Sequence, residues 1–314
     1  MKRIRLESRY AIDRAVVTVG SFDGTHIGHQ AVVEEVRTKA LDRDGASVVV
    51  TFDPHPRHVI SPETAPSLLT SLEEKTTAFE RMGLDLLAVV PFTHDLRGLT
   101  PEAFVERFLV DYLGVDGIVL GYDHGFGRDR SGDVATMRKL GDRHGFDVIS
   151  IPPTLLDGEP VSSTRVRECI EAGQIEAAAR LLGSGYPVSG LVGTGDGRGR
   201  TIGFPTANIA FAEAKLLPPD GVYAGRTRVN GEVYKAVVNL GTRPTFGVRE
   251  RQFEAHLLDY RGNLYDQFMS VELMTRLRPE QKFDGIESLK EQINLDIEEA
   301  RCRLDATGIP TDAN

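Results

Sequence analysis

"AVVTVGSFDGTHIGHQ", residues 15–30, holds the transition that decides the fold: an apolar β-branched run, a glycine-containing turn and the start of an amphipathic segment. A continuous apolar run of this length is typical of a strand that is buried on both faces. Residues 28–43 follow with helical spacing, so the stretch predicts a strand, a turn and a helix in that order. His26 and His29 would then face the same side of the first helical turn.

The same alternation continues to about residue 182. Further apolar runs lie at 46–52, 85–92, 117–122 and 146–151, and helical patterns lie at 72–82, 101–113, 131–144 and 163–182. Apolar strands that alternate with amphipathic helices indicate a parallel sheet covered on both faces. We therefore expect an open, doubly wound α/β domain in this half of the chain.

The pattern changes in the second half, where polar and apolar residues alternate. Asn230-Gly231 separates two such runs within 222–241, and this dipeptide is the strongest short-range signal for a β-hairpin. Further strands are predicted at 252–260 and 268–278, and a helix at 286–304. We expect an antiparallel barrel or sandwich closed by a C-terminal helix. The Gly, Ser and Pro residues near 183–187 place the boundary between domains of residues 1–184 and 185–314.

Length, charge and cysteine content restrict the class of protein. A chain of 314 residues is about twice the common domain size, and its formal charge of −9 argues against a protein that coats nucleic acid. No signal-peptide core and no window of about 18 apolar residues occurs, so we expect a cytoplasmic protein that does not enter a membrane. Cys169 and Cys302 lie far apart, and free thiols are expected there rather than a disulfide or metal site.

The glycine-containing turn allows three interpretations on spacing alone: an ordinary turn, a metal site or a nucleotide-binding turn. In a doubly wound sheet the first strand-to-helix turn is the favoured phosphate position, and a helix N-terminus offers free N–H groups to an anion. Protonated or hydrogen-bonding imidazoles could neutralise charge on a phosphate there. His55 and His58 in "TFDPHPRH" (51–58) favour a metal site, but the stretch has no cysteine and no HExxH pattern.

The turn resembles the HxGH signature of the nucleotidyltransferase superfamily, and the chain is similar to the bacterial bifunctional riboflavin kinase/FAD synthetase family. The stretches that carry this resemblance, in order, are "TFDPHP" (51–56), "GYDHGFGRDRSGD" (121–133), "VSSTRVRECI" (161–170) and "GRGRTIGFPTANI" (197–209). The resemblance extends from about residue 15 to 303. It implies a Rossmann-like nucleotidyltransferase domain followed by a riboflavin kinase-like antiparallel β-barrel with a C-terminal helix.

The same resemblance implies two ATP-dependent reactions, phosphorylation of riboflavin to FMN and adenylyl transfer to FMN, which gives FAD and pyrophosphate. For the adenylyl transfer it implies catalytic roles for His26 and His29. The residues expected to bind ATP there are Gly20, Phe22, Asp23, Gly24, His26, His29, Ser162, Ser163, Thr164, Arg165 and Arg167. The residues expected to bind the flavin are Asp53, His55, Asp123 and Phe126. Taken alone, the Ser/Thr group is more simply interpreted as an ordinary helix N-cap beside solvated arginines, and the other motifs favour phosphate binding.

The second half has no GxxxxGK[ST] motif, which excludes a P-loop kinase. It has instead a glycine-rich stretch with arginines, "GTGDGRGRTIGFPTANI" (193–209), whose N–H groups could bind phosphates. The residues expected to bind ATP here are Gly195, Gly197, Arg198, Gly199, Thr206 and Asn208. Thr206 and Asn208 offer the oxygen ligands that Mg²⁺ prefers. The resemblance implies that Glu254 is the general base and that Asn239, Arg243 and Glu254 contact the flavin.

Three rival interpretations are weaker. One site could be degenerate, although both sets of motifs are intact. A flavin-binding regulatory protein would need neither a base nor paired histidines. Other HxGH enzymes, the cytidylyltransferases and pantetheine adenylyltransferases, lack a barrel such as the one predicted at 187–303. We expect riboflavin, FMN and ATP as the partners, Mg²⁺ as the cofactor, and a monomer or weak homo-oligomer.

Overall fold

A computed structural model gives the fold and describes residues 1–122, 125, 127, 132–195, 197–245 and 248–306, without the side chains of 243–250. The chain divides into two compact units, one of Met1–Ser67 with Lys75–Ser162 and one of Leu68–Glu74 with Ser163–Asn314. Residues 163–184, which we assigned to the first domain, therefore pack within the second unit. The boundary between the two functional domains, which we placed between residues 184 and 185, stays a prediction.

The first unit is built from strands that alternate with helices. Its elements in chain order are β1 (Lys2–Arg5), β2 (Ala15–Val19), α1 (Ile27–Leu41), β3 (Ser47–Asp53), α2 (Pro56–Ile60), a 3-10 turn (Pro62–Thr64), α3 (Leu72–Arg81), β4 (Leu86–Pro91), α4 (His94–Arg97), α5 (Pro101–Phe104) with a π-helical continuation (Val105–Leu113), β5 (Val115–Leu120), α6 (Val134–His144), β6 (Asp147–Ser150), β7 (Leu155–Leu156) and β8 (Glu159–Pro160). The first three residues of α3 group with the second unit.

Six strands form one parallel sheet in the order β1-β4-β3-β2-β5-β6. Alternate residues of β2 face opposite sides: Val16 packs with Val32 and Val36 of α1, whereas Val17 packs in the cluster that contains Leu109. Both faces are therefore covered, and the predicted doubly wound α/β fold is confirmed. The strand order reverses at β2, so the turn after this strand lies where such sheets bind ligands.

Several features of this half differ from the prediction, among them the short helices α2 and α4, which it did not contain. β1 is an additional edge strand, which the pattern did not indicate because three of its four residues are charged; charged edges of this kind discourage pairing with other chains. The short β7–β8 hairpin was also missed, although its Asp157-Gly158 turn is a hairpin signal. The helix predicted at 163–182 is broken near Gly173, whose φ of +71° ends a helical turn.

The second unit is a closed barrel with helices around it. Its elements are α7 (Ser163–Glu171), α8 (Ile175–Leu182), β9 (Tyr186–Gly193), α9 (Arg198–Thr201), β10 (Ala207–Phe211), β11 (Gly221–Val229), β12 (Glu232–Thr245), β13 (Val248–Leu257), β14 (Phe268–Arg278) and α10 (Ile286–Ala306). The strands close antiparallel in the order β10-β13-β12-β11-β14-β9, which decides for a barrel over a sandwich. Asn230 and Gly231 have φ of +51° and +86°, as the predicted hairpin turn requires.

The C-terminal helix packs on the barrel as predicted. Ala300 and Leu304 of α10 are buried with Val222 and Ala224 of β11. Along the described chain, no helix combines the length and the apolar character that a bilayer crossing needs. Cys169 is a half-buried free thiol and Cys302 an exposed one, in agreement with the expectation of unpaired cysteines.

A buried ion pair fastens the 68–74 segment to the barrel unit. The Glu74 carboxylate lies 2.7 Å from Lys215 Nζ, and both side chains are 1% exposed. Glu74 also accepts hydrogen bonds from the N–H and Oγ of Ser189, at 2.9 and 3.0 Å, and Lys215 donates to the Leu69 carbonyl at 2.6 Å. Both charges are therefore fully partnered, the condition under which such a pair is tolerated in a core.

Glu74→Gln is expected to destabilise the second unit by about 3–5 kcal/mol, because Lys215 keeps a buried charge without its counter-ion. Urea unfolding measures the change. Glu80→Gln, on the exposed side of the same helix, is the matched control and should stay within about 0.5 kcal/mol of the wild type. An unfolding midpoint for Glu74→Gln that equals that of the control would contradict the role assigned to this pair.

Candidate functional site

The turn between β2 and α1 has an unusual backbone. Phe22, Gly24 and Thr25 have φ of +48°, +91° and +37°, so two residues with side chains adopt the left-handed region. Such conformations cost free energy and cluster where a backbone must meet a ligand. The turn is thus held in a shape that local preferences do not favour.

The two histidines of this turn contact each other. His26 is the N-cap of α1, and its Nδ1 accepts a hydrogen bond from the His29 N–H at 3.3 Å. The two rings stack with centroids 3.7 Å apart and planes inclined by 16°, so the predicted common orientation is confirmed. A side chain at Gly28 would meet the His26 ring at 3.2 Å, which explains the glycine between them. Because Nδ1 is an acceptor, neutral His26 carries its proton on Nε2.

His29 is held in its neutral form. Burial lowers its pKa well below the ordinary 6.5, and the nearby charges of His26 and Lys75 lower it further. Its Nδ1 is buried without a hydrogen-bond partner in the described part of the chain, and its ring lies 5.1 Å from that of Phe22. Of the protonated and hydrogen-bonding roles considered above, the structure favours hydrogen bonding by a neutral imidazole.

Lys75 is a charged residue beside this turn that sequence reasoning missed. Its side chain is buried, and Nζ donates to the Ser21 carbonyl at 2.5 Å and to Thr51 Oγ1 at 3.4 Å. Burial lowers its pKa to about 8, although Asp23 and Asp53 act in the opposite direction. The available signal was a lysine four residues before the buried Phe79, on the apolar stripe of the predicted helix.

The flavin-binding residues predicted for this unit are only partly described. Asp53 ends β3, and His55 caps α2 by accepting a hydrogen bond from the Arg57 N–H at 3.2 Å. Asp123 and Phe126 lie outside the described residues. His58 donates to the Pro66 carbonyl, and no group of three or more His, Cys, Asp or Glu side chains in the described ranges is arranged to hold a metal ion.

The predicted phosphate-binding Ser/Thr group is divided between the units. Ser162 ends the first unit, and the remaining residues lie in the first two turns of α7, which begins at Ser163 as expected. Those residues are Ser163, Thr164, Arg165 and Arg167. Their contact with ATP stays a prediction, as does that of Gly20, Phe22, Asp23 and Gly24.

Three predicted kinase residues form a row across the barrel. Asn208 on β10 pairs with Glu254 on β13, and Glu254 pairs in turn with Asn239 on β12. The flanking residues Phe253 and Ala255 are buried, so the row lies on the outer face of the barrel. This placement settles which face of β13 carries Glu254. We call these three residues the Glu254 row.

The glycines of the kinase stretch allow close approach to this row. A Cβ at Gly195 would overlap the Asn208 amide, and a Cβ at Gly199 would overlap the Phe204 carbonyl. Gly197 has φ of +69° and precedes α9, whose first residue is the exposed Arg198. The glycine-rich stretch is therefore packed at Asn208, whereas its contact with ATP stays a prediction.

Two further residues complete this site. Thr206 Oγ1 donates to Glu254 Oε2 at 3.5 Å, which brings the predicted Mg²⁺ ligand next to the predicted base. His256 was missed: its Nδ1 donates to the Pro205 carbonyl at 2.7 Å and thereby fixes the turn before Thr206. The signal was the Glu254-x-His256 spacing, which puts both side chains on one strand face. The backbone of Arg243 lies in β12, but its side chain is outside the described residues.

Comparisons with known proteins match both halves of the chain. A family model described as FAD synthetase matches residues 9–165, and one described as riboflavin kinase matches residues 182–304. The chain is 40% identical to a bifunctional riboflavin kinase/FMN adenylyltransferase of Pseudomonas fluorescens, over 91% of this chain and 92% of the relative. It is 37% identical to the proteins of that name from Bacillus subtilis (91% and 92% covered) and Escherichia coli K12 (91% and 91% covered).

A solved structure described as a macrolide-efflux protein from Streptococcus pneumoniae superposes with a TM-score of 0.83 at 30% identity, over 96% of this chain and 98% of that chain. The match shows that the two chains share a fold. With its two matching family models and its full-length relatives, the chain belongs to the bifunctional riboflavin kinase/FMN adenylyltransferase family.

Proposed function

We propose that this chain makes FAD from riboflavin in two steps. The barrel unit transfers the γ-phosphoryl group of ATP to riboflavin and gives FMN and ADP. The parallel-sheet unit then transfers the adenylyl group of a second ATP to FMN and gives FAD and pyrophosphate. The observation that carries the proposal is the presence in one chain of the Glu254 row and of the stacked His26–His29 pair at a helix N-terminus.

In the kinase step, Glu254 acts as the general base. Its carboxylate takes the proton of the ribityl hydroxyl while that oxygen forms the new bond to the γ-phosphorus and the bond to ADP breaks. Asn239, which pairs with Glu254 across the barrel strands, is assigned to orient the hydroxyl from the flavin side, with Arg243 as a further flavin contact. Gly195, Gly197, Arg198 and Gly199 are assigned to the ATP phosphates.

Thr206 and Asn208 would hold Mg²⁺ in this step. The fit rests on chemistry, because a hydroxyl oxygen and an amide oxygen beside the Glu254 carboxylate are the hard donors that Mg²⁺ prefers. When bound, Mg²⁺ would neutralise charge on the ATP phosphates. The Thr206 hydroxyl thus has two tasks, since it also donates to Glu254.

In the adenylyl transfer, the histidines stabilise charge instead of moving protons. A phosphate oxygen of FMN attacks the α-phosphorus of ATP, and the bond to pyrophosphate breaks. His26, with its proton on Nε2, and the neutral His29 can donate hydrogen bonds to the phosphate oxygens where negative charge develops. The Ser162–Arg167 stretch is assigned to the β- and γ-phosphates, and Asp53, His55, Asp123 and Phe126 to the flavin.

The small substrates define the expected setting of the enzyme. We place it in the cytoplasm, as a monomer or weak homo-oligomer that acts on riboflavin, FMN and ATP. A formal charge of −9 supports the view that it contacts neither nucleic acid nor an anionic membrane surface.

Incubation of the pure protein with riboflavin, ATP and Mg²⁺, followed by chromatographic separation of the flavins, tests both activities. FMN should form first and FAD should follow, and a chelator added at the start should prevent both. Unchanged riboflavin would contradict the kinase assignment. Accumulation of FMN without FAD would contradict the adenylyltransferase assignment.

A further inference from the structure

We propose that Lys75 is a positioning residue for adenylyl transfer: by holding the Ser21 carbonyl, its ammonium group orients the Phe22 N–H toward the ATP phosphates. The inference rests on the proposed adenylyltransferase function of the turn. It adds a residue from α3 to the part of the site that the turn and the start of α1 form.

The hydrogen bonds at Ser21 define the orientation of one peptide plane. The Ser21 carbonyl accepts from Lys75 Nζ at 2.5 Å and from Thr51 Oγ1 at 3.3 Å. The Ser21–Phe22 bond is trans, so its N–H points opposite to its carbonyl. The Phe22 N–H is therefore directed away from Lys75, within the turn where the phosphates are proposed to bind.

The Phe22 N–H is available for a ligand. Phe22 is 4% exposed, and its N–H donates no hydrogen bond to any residue within the described part of the chain. Buried N–H groups without a partner are rare and costly in folded proteins, and an anion is a natural acceptor at a helix-leading turn. The residue's φ of +48° adds strain, which the bonds at Ser21 help the turn to sustain.

The charges around Lys75 suit this role. Asp23 of the turn and Asp53 of β3 favour its protonated form, and the neighbouring imidazole of His29 in α1 is kept neutral. With a pKa of about 8 the ammonium is mostly charged at pH 7, and a charged donor holds a carbonyl more strongly than a neutral one. The same charge contributes to keeping His29 neutral.

Lys75→Met is the main test, because it removes the charge and the hydrogen-bond donor but keeps a side chain of similar length. In the full chain, kcat for conversion of FMN to FAD should fall about 10- to 100-fold because the N–H is no longer fixed, while the KM for FMN changes little. Phosphorylation of riboflavin should be unchanged. NMR titration should show the pKa of His29 shifted only partway upward, because the positive charge of Lys75 is lost while the burial of His29 remains.

Two further variants keep the test decisive. Lys139→Met, on the exposed face of α6, is the matched control and should behave as the wild type. Thr51→Val removes the other donor to Ser21 and should lower the FMN-to-FAD rate severalfold without a rise in the His29 pKa. A Lys75→Met enzyme within twofold of the wild-type rate would overturn the inference. If that variant does not fold, an unchanged rate in Thr51→Val would overturn it. A wild-type enzyme that makes no FAD would instead contradict the proposed function.

Discussion

Glu254→Gln is expected to lower phosphorylation of riboflavin by about 10²- to 10⁴-fold, the usual contribution of a general base. The amide keeps the size of the carboxylate and can still accept the hydrogen bond from Thr206, but it cannot take a proton from the ribityl hydroxyl. Because Glu254 lies on the barrel and the FMN-adenylylating residues are assigned elsewhere, conversion of added FMN to FAD should stay near the wild-type rate.

The control for this variant is Glu232→Gln, at the exposed start of β12. Its carboxylate accepts a hydrogen bond from the Tyr234 hydroxyl at 2.6 Å and has no assigned part in catalysis. Initial rates with riboflavin and with FMN as separate substrates measure both effects. Wild-type phosphorylation by Glu254→Gln would refute the base assignment, and an equal loss of both activities would indicate a defect other than a missing base.

His29→Ala is expected to have the opposite profile. Removal of one donor that stabilises transition-state charge costs about 10²- to 10³-fold, so FMN-to-FAD conversion should fall by that factor. Riboflavin should still be phosphorylated, and FMN should accumulate. The N-cap bond survives in this variant, because His26 Nδ1 accepts from the backbone N–H of residue 29. The loss would thus be chemical and would not come from an uncapped helix.

His94→Ala, at the exposed start of α4 in the same unit, serves as the matched control. It should leave both rates unchanged. Reactions are quenched at fixed times and the flavins are separated by chromatography, so that the ratio of FMN to FAD distinguishes the two variants. If His29→Ala formed FAD at the rate of His94→Ala, the histidine pair could not be the group that stabilises the adenylyl transfer.

Hydrophobic periodicity was sufficient to predict the parallel-sheet fold and four of the six barrel strands, but not β9 and β10. Five of the six parallel strands follow from apolar runs, and Asn230-Gly231 located the hairpin of the barrel. The edge strand β1 was not predicted, because it is held by pairing with β4 and not by burial of its own side chains. The grouping of 68–74 with the barrel depends on Glu74 meeting Lys215, a contact between distant positions that no local pattern encodes.

The site was predictable in its residue types but not in its contacts. Helical spacing placed His26 and His29 on one side, yet stacking, capping and the neutral state of His29 depend on burial and on Lys75. Strand alternation could not decide between the inner and outer face for Glu254, which the burial of the flanking Phe253 and Ala255 resolves. Lys75 itself looked like an ordinary helical lysine, because its partner is a backbone carbonyl.

The central claim is that one chain holds two separate sites, each of which carries out one of the two reactions, and a mixing experiment tests it most directly. Glu254→Gln alone should leave riboflavin largely unconverted, and His29→Ala alone should stop at FMN. An equimolar mixture supplied with riboflavin, ATP and Mg²⁺ should form FAD at a substantial fraction of the wild-type rate, since the FMN made by one variant is adenylylated by the other. A mixture that forms no more FAD than the better single variant would contradict the account.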